Sequence, residues 1–409
     1  MTADIEHFDT AVGDVSGVWP PTPETWSYSS LREAEECPRR WMLRRATYPD
    51  IWERAGYPPR PTLPVLVGNV VHGALEVILR GLDASGCTSL GDPSAVGVLR
   101  EVGGYSAVID RMIQNQVRQL EANPRVKSQF AGLRTALLMR VPEMRQRLQA
   151  IITRTTLIPR HAAPADGHPS SADRPPLSTG SYPEVDLRAD TLRLVGRADL
   201  ITIADDACTI TDYKTGAQSD HHADQLRTYA LLWDRDRELN PNVLPVERLV
   251  VAYAVHDEII EAPTHSELDA LEEQLVTRIA EAESQLLRRP PPARPSLALC
   301  QRCSVRHMCE DYWASPIASE TSPMSGRAGD FVDCEAVVTT QNGSRSWVVA
   351  LEPEGVQALL RTVTEEPGFA LGERVRFLGA LLGRDDDDKG PVSITMIQSS
   401  EMFVLGDGP

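Results

Sequence analysis

The chain has no Gly-x-x-x-x-Gly-Lys phosphate loop, which excludes a built-in nucleotide-driven motor of that type. It shows no internal repeat, and no apolar run of a length expected to span a bilayer. Basic residues are scarce: 41 Lys and Arg face 58 Asp and Glu, a formal net charge of −17. Such a surface does not grip a polyanion everywhere, so nucleic-acid contacts have to come from local basic patches. Two patches stand out. Residues 100–160 carry eleven basic against four acidic side chains, and Arg39, Arg40, Arg44 and Arg45 crowd together. An even cysteine count is also missing: there are seven, with no leader-like opening. That combination argues against a disulfide framework and leads to the expectation of a reducing cytoplasm and no membrane partner.

What is present begins with a hairpin. Leu192–Ile203 and Cys208–Tyr213 are rich in strand-forming residues, and Ala204-Asp-Asp-Ala207 between them has turn composition. Centring the turn on Asp205 and Asp206 places Asp199 opposite Asp212, with both carboxylates on one face. Lys214 shares that face and Tyr213 points away. Unshielded carboxylates so close repel, and a divalent cation with oxygen ligands, Mg²⁺ or Mn²⁺, relieves the conflict while leaving room for phosphate. The plainer alternative is a solvated hairpin bearing three surface charges.

His72 tilts the balance towards the metal. Val65–Arg80 has helical apolar spacing, with His72 one turn from Gly68 and from Glu76. The glycine clears space on the histidine's side, although a lone histidine of this kind is commonly a hydrogen-bonded core residue. Gln225 and Tyr229, four apart on a following helix, present an amide and a phenol together.

The series His72, Gly196-Arg-Ala-Asp199, Asp212-Tyr-Lys-Thr-Gly216 and Gln225-x-x-x-Tyr229 resembles the PD-(D/E)XK nuclease superfamily, in particular its RecB-type exonuclease branch. Relatives of that branch serve recombination helicase–nucleases and CRISPR adaptation. The resemblance implies His72, Asp199, Asp212 and the Tyr213 carbonyl as metal ligands and Lys214 as the catalytic lysine. It implies Glu184 as a further catalytic acid, and Gln225 and Tyr229 as substrate-handling residues.

Cys300-x-x-Cys303-x5-Cys309, with Cys37 far upstream, suits four thiolates around zinc or an iron–sulfur cluster. Spacing leaves both open; the resemblance implies [4Fe–4S]. Either group closes a loop of about 260 residues, a mechanical staple.

The expected fold is an α/β (α+β) restriction-endonuclease-like core with a helical N-terminal part, followed by a small all-β, OB-like barrel. The expected layout is a loose arm at 1–26 and a nuclease domain at 27–315 with a helical insertion at about 84–160. A linker at 316–329 then leads to the barrel at 330–409. Within these, a capping box is expected at Ser30-x-x-Glu33, a helical stretch at Leu133–Thr153 and a barrel helix at Glu354–Thr364. Phe331, Trp347, Phe377 and Phe403 are candidate stacking residues, and Asp385–Asp388 reads as a solvated loop. The expected function is a Mg²⁺/Mn²⁺-dependent DNA exonuclease on single-stranded ends, working with a separate helicase or a recombination or defence protein. The alternative is a silent module that binds DNA ends or a partner.

Overall fold

The computed structural model describes residues 19–127, 129–160, 174–384 and 392–405. Most of the expected N-terminal arm and the acidic run at 385–388 lie outside the described residues.

The chain opens with α1 (Tyr28–Glu36) and α2 (Pro38–Arg45), divided at Cys37 because Pro38 restarts the helix at its first position. The cap of α1 is Ser27, whose hydroxyl accepts from Ser30 N, so the expected box at Ser30 does not form. Ser30 is already inside the helix, where its own N–H needs a partner. Then come α3 (Leu63–Ala84), α4 (Ala95–Glu101), α5 (Gly104–Glu121), α6 (Phe130–Met139) and α7 (Val141–Arg154). The helical stretch expected at Leu133–Thr153 is thus two helices. Pro142 cannot sit in a helix interior without losing a hydrogen bond, but it fits the first turn of α7. By length and composition α3 is apolar enough to cross a bilayer, contrary to expectation. Its apolar side is instead covered: Val70, Val71, Ala74, Leu75, Ile78 and Leu79 are buried among residues of α5 and α7.

A five-stranded sheet follows in sequence order, β1 (Gly180–Ala189), β2 (Leu194–Ala204), β3 (Ala207–Lys214), β4 (Val246–Tyr253) and β5 (Asp257–Glu261). All neighbours are antiparallel except β3 and β4, which are parallel and joined through α8 (His221–Arg235). One face carries α8 and α9 (His265–Leu286) with the start of the chain, around Trp26, Leu31, Trp41 and Trp233. The other face meets the α3–α7 bundle through Leu200, Tyr213 and Ala252. The sheet is therefore buried on both sides, and its open end, where β2 and β3 part, falls between α3 and α8.

After α10 (Leu297–Cys300), α11 (Glu310–Trp313) and α12 (Pro316–Glu320) come β6 (Phe331–Gln341), β7 (Ser346–Leu351), β8 (Val356–Arg361), β9 (Arg374–Gly383), β10 (Val392–Thr395) and β11 (Glu401–Leu405). β10 pairs in parallel with β8 and antiparallel with β9, so β6–β10 close into a five-stranded barrel, and β11 extends β9. The helix expected at Glu354–Thr364 is strand β8. Val356–Arg361 alternates exposed and buried positions, and Ala358 and Leu360 fill the barrel. Leucine and alanine favour helix locally, but pairing on both edges overrides that preference. Trp347, Phe377 and Phe403 are buried, whereas Phe331 is 62 % exposed.

Candidate metal and nuclease site

Asp205 and Asp206 both have positive φ, 49° and 63°, the backbone of a two-residue turn that matches strand twist. The turn fixes the β2–β3 ladder from Ala204↔Ala207 to Leu200↔Thr211. The next position in this register brings Asp199 and Asp212 together. There the ladder gives way to a side chain: Asp199 Oδ2 accepts from Tyr213 N at 2.6 Å. A second irregularity mirrors it on the other edge of β2. β1 pairs Pro183↔Leu200 and then Val185↔Ala198, so the register is kept while Glu184, at φ 58°, and Asp199 opposite it leave the ladder. Both departures turn carboxylates to one spot.

His72, from α3, meets them there. Its Nε2 lies 3.1 Å from Asp199 Oδ1 and 3.2 Å from Glu184 Oε1. One atom from each of His72, Glu184 and Asp199 lies within 4.8 Å of the other two, the geometry of a cation site. The hydrogen bonds to Asp199 and then Glu184 hold the imidazole protonated, pushing it up to about 10 against the pull of burial. In the metal-free protein that proton adds to the positive charge of Lys214 and Arg197 facing the carboxylates. Burial opposes ionisation of Glu184, but the hydrogen bonds and charges of His72 and Arg197 together outweigh it and hold the carboxyl below its ordinary range. The imidazole and carboxylate donors suit a hard divalent ion with some nitrogen affinity.

Asp212 stands beside this trio and turns to Lys214. Lys214 Nζ is 2.7 Å from Asp212 Oδ2, a close ion pair. Burying this carboxylate beside Asp199 is costly, and a cation in the adjoining cage would offset their repulsion. Burial first, then the charge of Asp199, push Asp212 up to about 6. Lys214 Nζ also donates to Gln225 Oε1 at 3.0 Å, and Gln225 Nε2 donates to the Tyr229 hydroxyl at 2.7 Å. The expected substrate-handling pair thus forms a relay that orients the lysine.

Two glycines make these approaches possible. A Cβ on Gly68 would lie 3.0 Å from Thr215 Oγ1, so α3 runs directly over the loop after Lys214. A Cβ on Gly196 would lie 2.7 Å from Tyr229 Cε1, so α8 seats its tyrosine on β2. Tyr213 points into the helical bundle, its hydroxyl 3.3 Å from Thr155 Oγ1, as alternation predicted.

Sequence reasoning missed Arg197, whose Nε donates to Glu184 Oε2 at 2.6 Å. The signal was there: two residues before Asp199 on a strand, it shares the same face.

A second cluster sits elsewhere. Cys37, Cys300, Cys303 and Cys309 line one pocket with Arg40, Arg306 and Tyr312. All are free thiols, as are Cys87, Cys208 and Cys334. Burial raises Cys303 to about 11 and Cys309 to about 12 in the absence of a bound group.

A mixed sheet with its carboxylates, imidazole and lysine at one open end defines the class. The PD-(D/E)XK nuclease superfamily model matches residues 25–310, and the chain belongs to that superfamily. No curated protein matches it. Among solved structures, the p204 HINb domain is 15 % identical with a TM-score of 0.18, covering 20 % of this chain. The chain spans 44 % of that structure's length. The OB domain of a Methanosarcina mazei protein is 16 % identical at TM-score 0.16, covering 20 % of this chain and 77 % of that one. SSO0001 is 22 % identical at TM-score 0.20, covering 32 % and 59 %.

Proposed function

We propose that this nuclease is a Mg²⁺- or Mn²⁺-dependent DNA exonuclease of the RecB type, acting on single-stranded ends. The observation that carries the reading is the convergence of His72, Glu184 and Asp199, with the Asp212–Lys214 pair alongside. His72, Asp199 and Asp212, with the Tyr213 carbonyl and Glu184, would hold the cation. When bound, the cation supplies Lewis acidity towards the scissile phosphate and the attacking water. Lys214 positions that water or offsets charge gathering on the phosphate oxygens, and Gln225 and Tyr229 keep its ammonium aimed.

The four cysteines would hold a [4Fe–4S] cluster. All four line one pocket, and four thiolates there suit zinc or an iron–sulfur cluster; the resemblance to the RecB-type branch favours the cluster. The barrel would be OB-like, since its order β6-β7-β8-β10-β9 with one parallel pair is that of a five-stranded Greek-key barrel. With three of its four candidate aromatics buried, its role here is packing rather than base stacking. A separate helicase or a recombination or defence protein would supply frayed ends, because no motor loop is present in the sequence.

The test is digestion of end-labelled single- and double-stranded DNA with Mg²⁺, Mn²⁺ or EDTA. Wild type should cut, EDTA should stop it, and Asp212→Ala or Lys214→Ala should lower the rate about 10²–10³-fold. Wild type that carries its thiolate-bound group and leaves every substrate intact would refute the reading and favour a silent end-binding module.

A further inference from the structure

Glu184 has φ 58°, a left-handed backbone conformation that is strained for a residue with a side chain. Such a conformation persists only where its surroundings over-determine it. Both carboxylate oxygens are engaged: Oε1 meets His72 at 3.2 Å, and Oε2 takes Arg197 Nε at 2.6 Å. The carboxylate is nearly buried, with a side-chain exposure of 7 %, whereas the arginine is 51 % exposed. An ion pair that open contributes little to global stability. Its geometry is more informative. Arg197 Nη2 reaches to 3.6 Å from Glu76 Oε1, and Glu76 lies on α3 one turn beyond His72. One guanidinium therefore ties α3, β1 and β2, the three elements that deliver His72, Glu184 and Asp199.

We propose that Arg197 is a positioning residue that locks Glu184 as a direct oxygen ligand and so sets the cation affinity of the site. The proposal rests on the metal-site reading above. Two effects of the arginine oppose each other. Its charge repels a nearby cation, so charge alone predicts tighter binding when Arg197 is removed. Its hold on Glu184 predicts the opposite, and partners of metal ligands typically govern affinity by about 10–100-fold. The positive φ of Glu184 decides between them: without Arg197, Glu184 has one oxygen free and a strained backbone able to relax away from the cage.

The experiment is Mn²⁺ titration by calorimetry and by electron paramagnetic resonance on wild type, Arg197→Ala, Arg197→Lys, Glu184→Gln and the Arg197→Ala/Glu184→Gln double variant. Expected are a loss of at least about tenfold for Arg197→Ala, an intermediate loss for Arg197→Lys, and no further loss when Arg197→Ala is added to Glu184→Gln. The melting temperature should barely move. Wild type that binds no Mn²⁺ would sink the metal site itself. Wild type that binds, with Arg197→Ala equal or tighter, or with additive losses in the double variant, would overturn only the role of Arg197. If Arg197→Ala does not fold, Arg197→Lys alone decides, and an affinity equal to wild type refutes the proposal.

Discussion

Removing one arginine from the cysteine loop should loosen the barrel from the nuclease core. Arg306 lies between Cys303 and Cys309 and reaches across to Asp333 on β6, with Nε at 2.6 Å and Nη2 at 3.1 Å. Both side chains are 8 % exposed. Asp333 also accepts from the Tyr312 hydroxyl at 2.7 Å and from Gly379 N at 2.8 Å. Arg306→Ala deletes two charge-assisted bonds, worth roughly 1.5–3 kcal/mol each. Breaking a buried pair of this kind costs about 3–5 kcal/mol. Because two neutral donors remain on Asp333, the lower end applies, about 3 kcal/mol. Neighbouring contacts limit the collapse: Arg376 donates to His307 O at 2.6 Å, and the His307 ring stacks on Phe403 at 3.8 Å. Urea unfolding of wild type, Arg306→Ala, Asp333→Asn and the double variant measures the effect, with proteolysis of residues 316–329 reporting undocking. The double variant should lose less than the sum of the singles, since each single strands a buried partner. A loss under about 1 kcal/mol for Arg306→Ala would refute the reasoning.

Mn²⁺ binding at pH 7 should release about one proton, because His72 is held at about 10 and must be neutral to ligate. Asp212, at about 6, adds only a small fraction there. Both groups are raised, so in the metal-free protein each contributes stability at low pH. That of Asp212 is lost as pH climbs through about 6, and that of His72 as it climbs through about 10. Stabilisation by Mn²⁺ should therefore grow with pH; calorimetry in buffers of different ionisation heat checks it, and buffer-independent heats would contradict it. Gly196→Val should destabilise by about 1–3 kcal/mol through its clash with Tyr229 and Leu232. Its DNA cleavage should fall further than the melting loss explains, because Tyr229 aims Gln225 and Lys214. Cys37→Ser should bleach the visible absorption of a purified iron–sulfur protein and lower its melting temperature; a colourless, zinc-containing wild type would refute the cluster.

Much of the site could be read from the chain because its parts obey short-range rules. The Asp205–Asp206 turn fixes the β2–β3 register, and strand alternation then assigns the faces of Asp199, Asp212, Tyr213 and Lys214. The α3 spacing placed His72 one turn from Gly68. Errors fell where local preference and tertiary demand disagree. Val356–Arg361 became a strand because it closes a barrel, and Leu133–Thr153 divides at Arg140 because Pro142 fits only the first turn of a new helix. Trp347 and Phe377 left the list of stacking candidates because they fill the barrel interior, and Phe403 because it stacks on His307.

The sequence by itself determined the hairpin, the helix carrying the imidazole and the spacing of the four cysteines, since each depends on neighbours a few residues apart. Only the tertiary structure decided that Glu184 joins His72 and Asp199 while Asp212 turns to Lys214. That choice depends on the positive-φ backbone of Glu184 in β1 and on the crossing of α3 over the sheet. Such long-range placement is set by packing between distant segments, which no local pattern encodes.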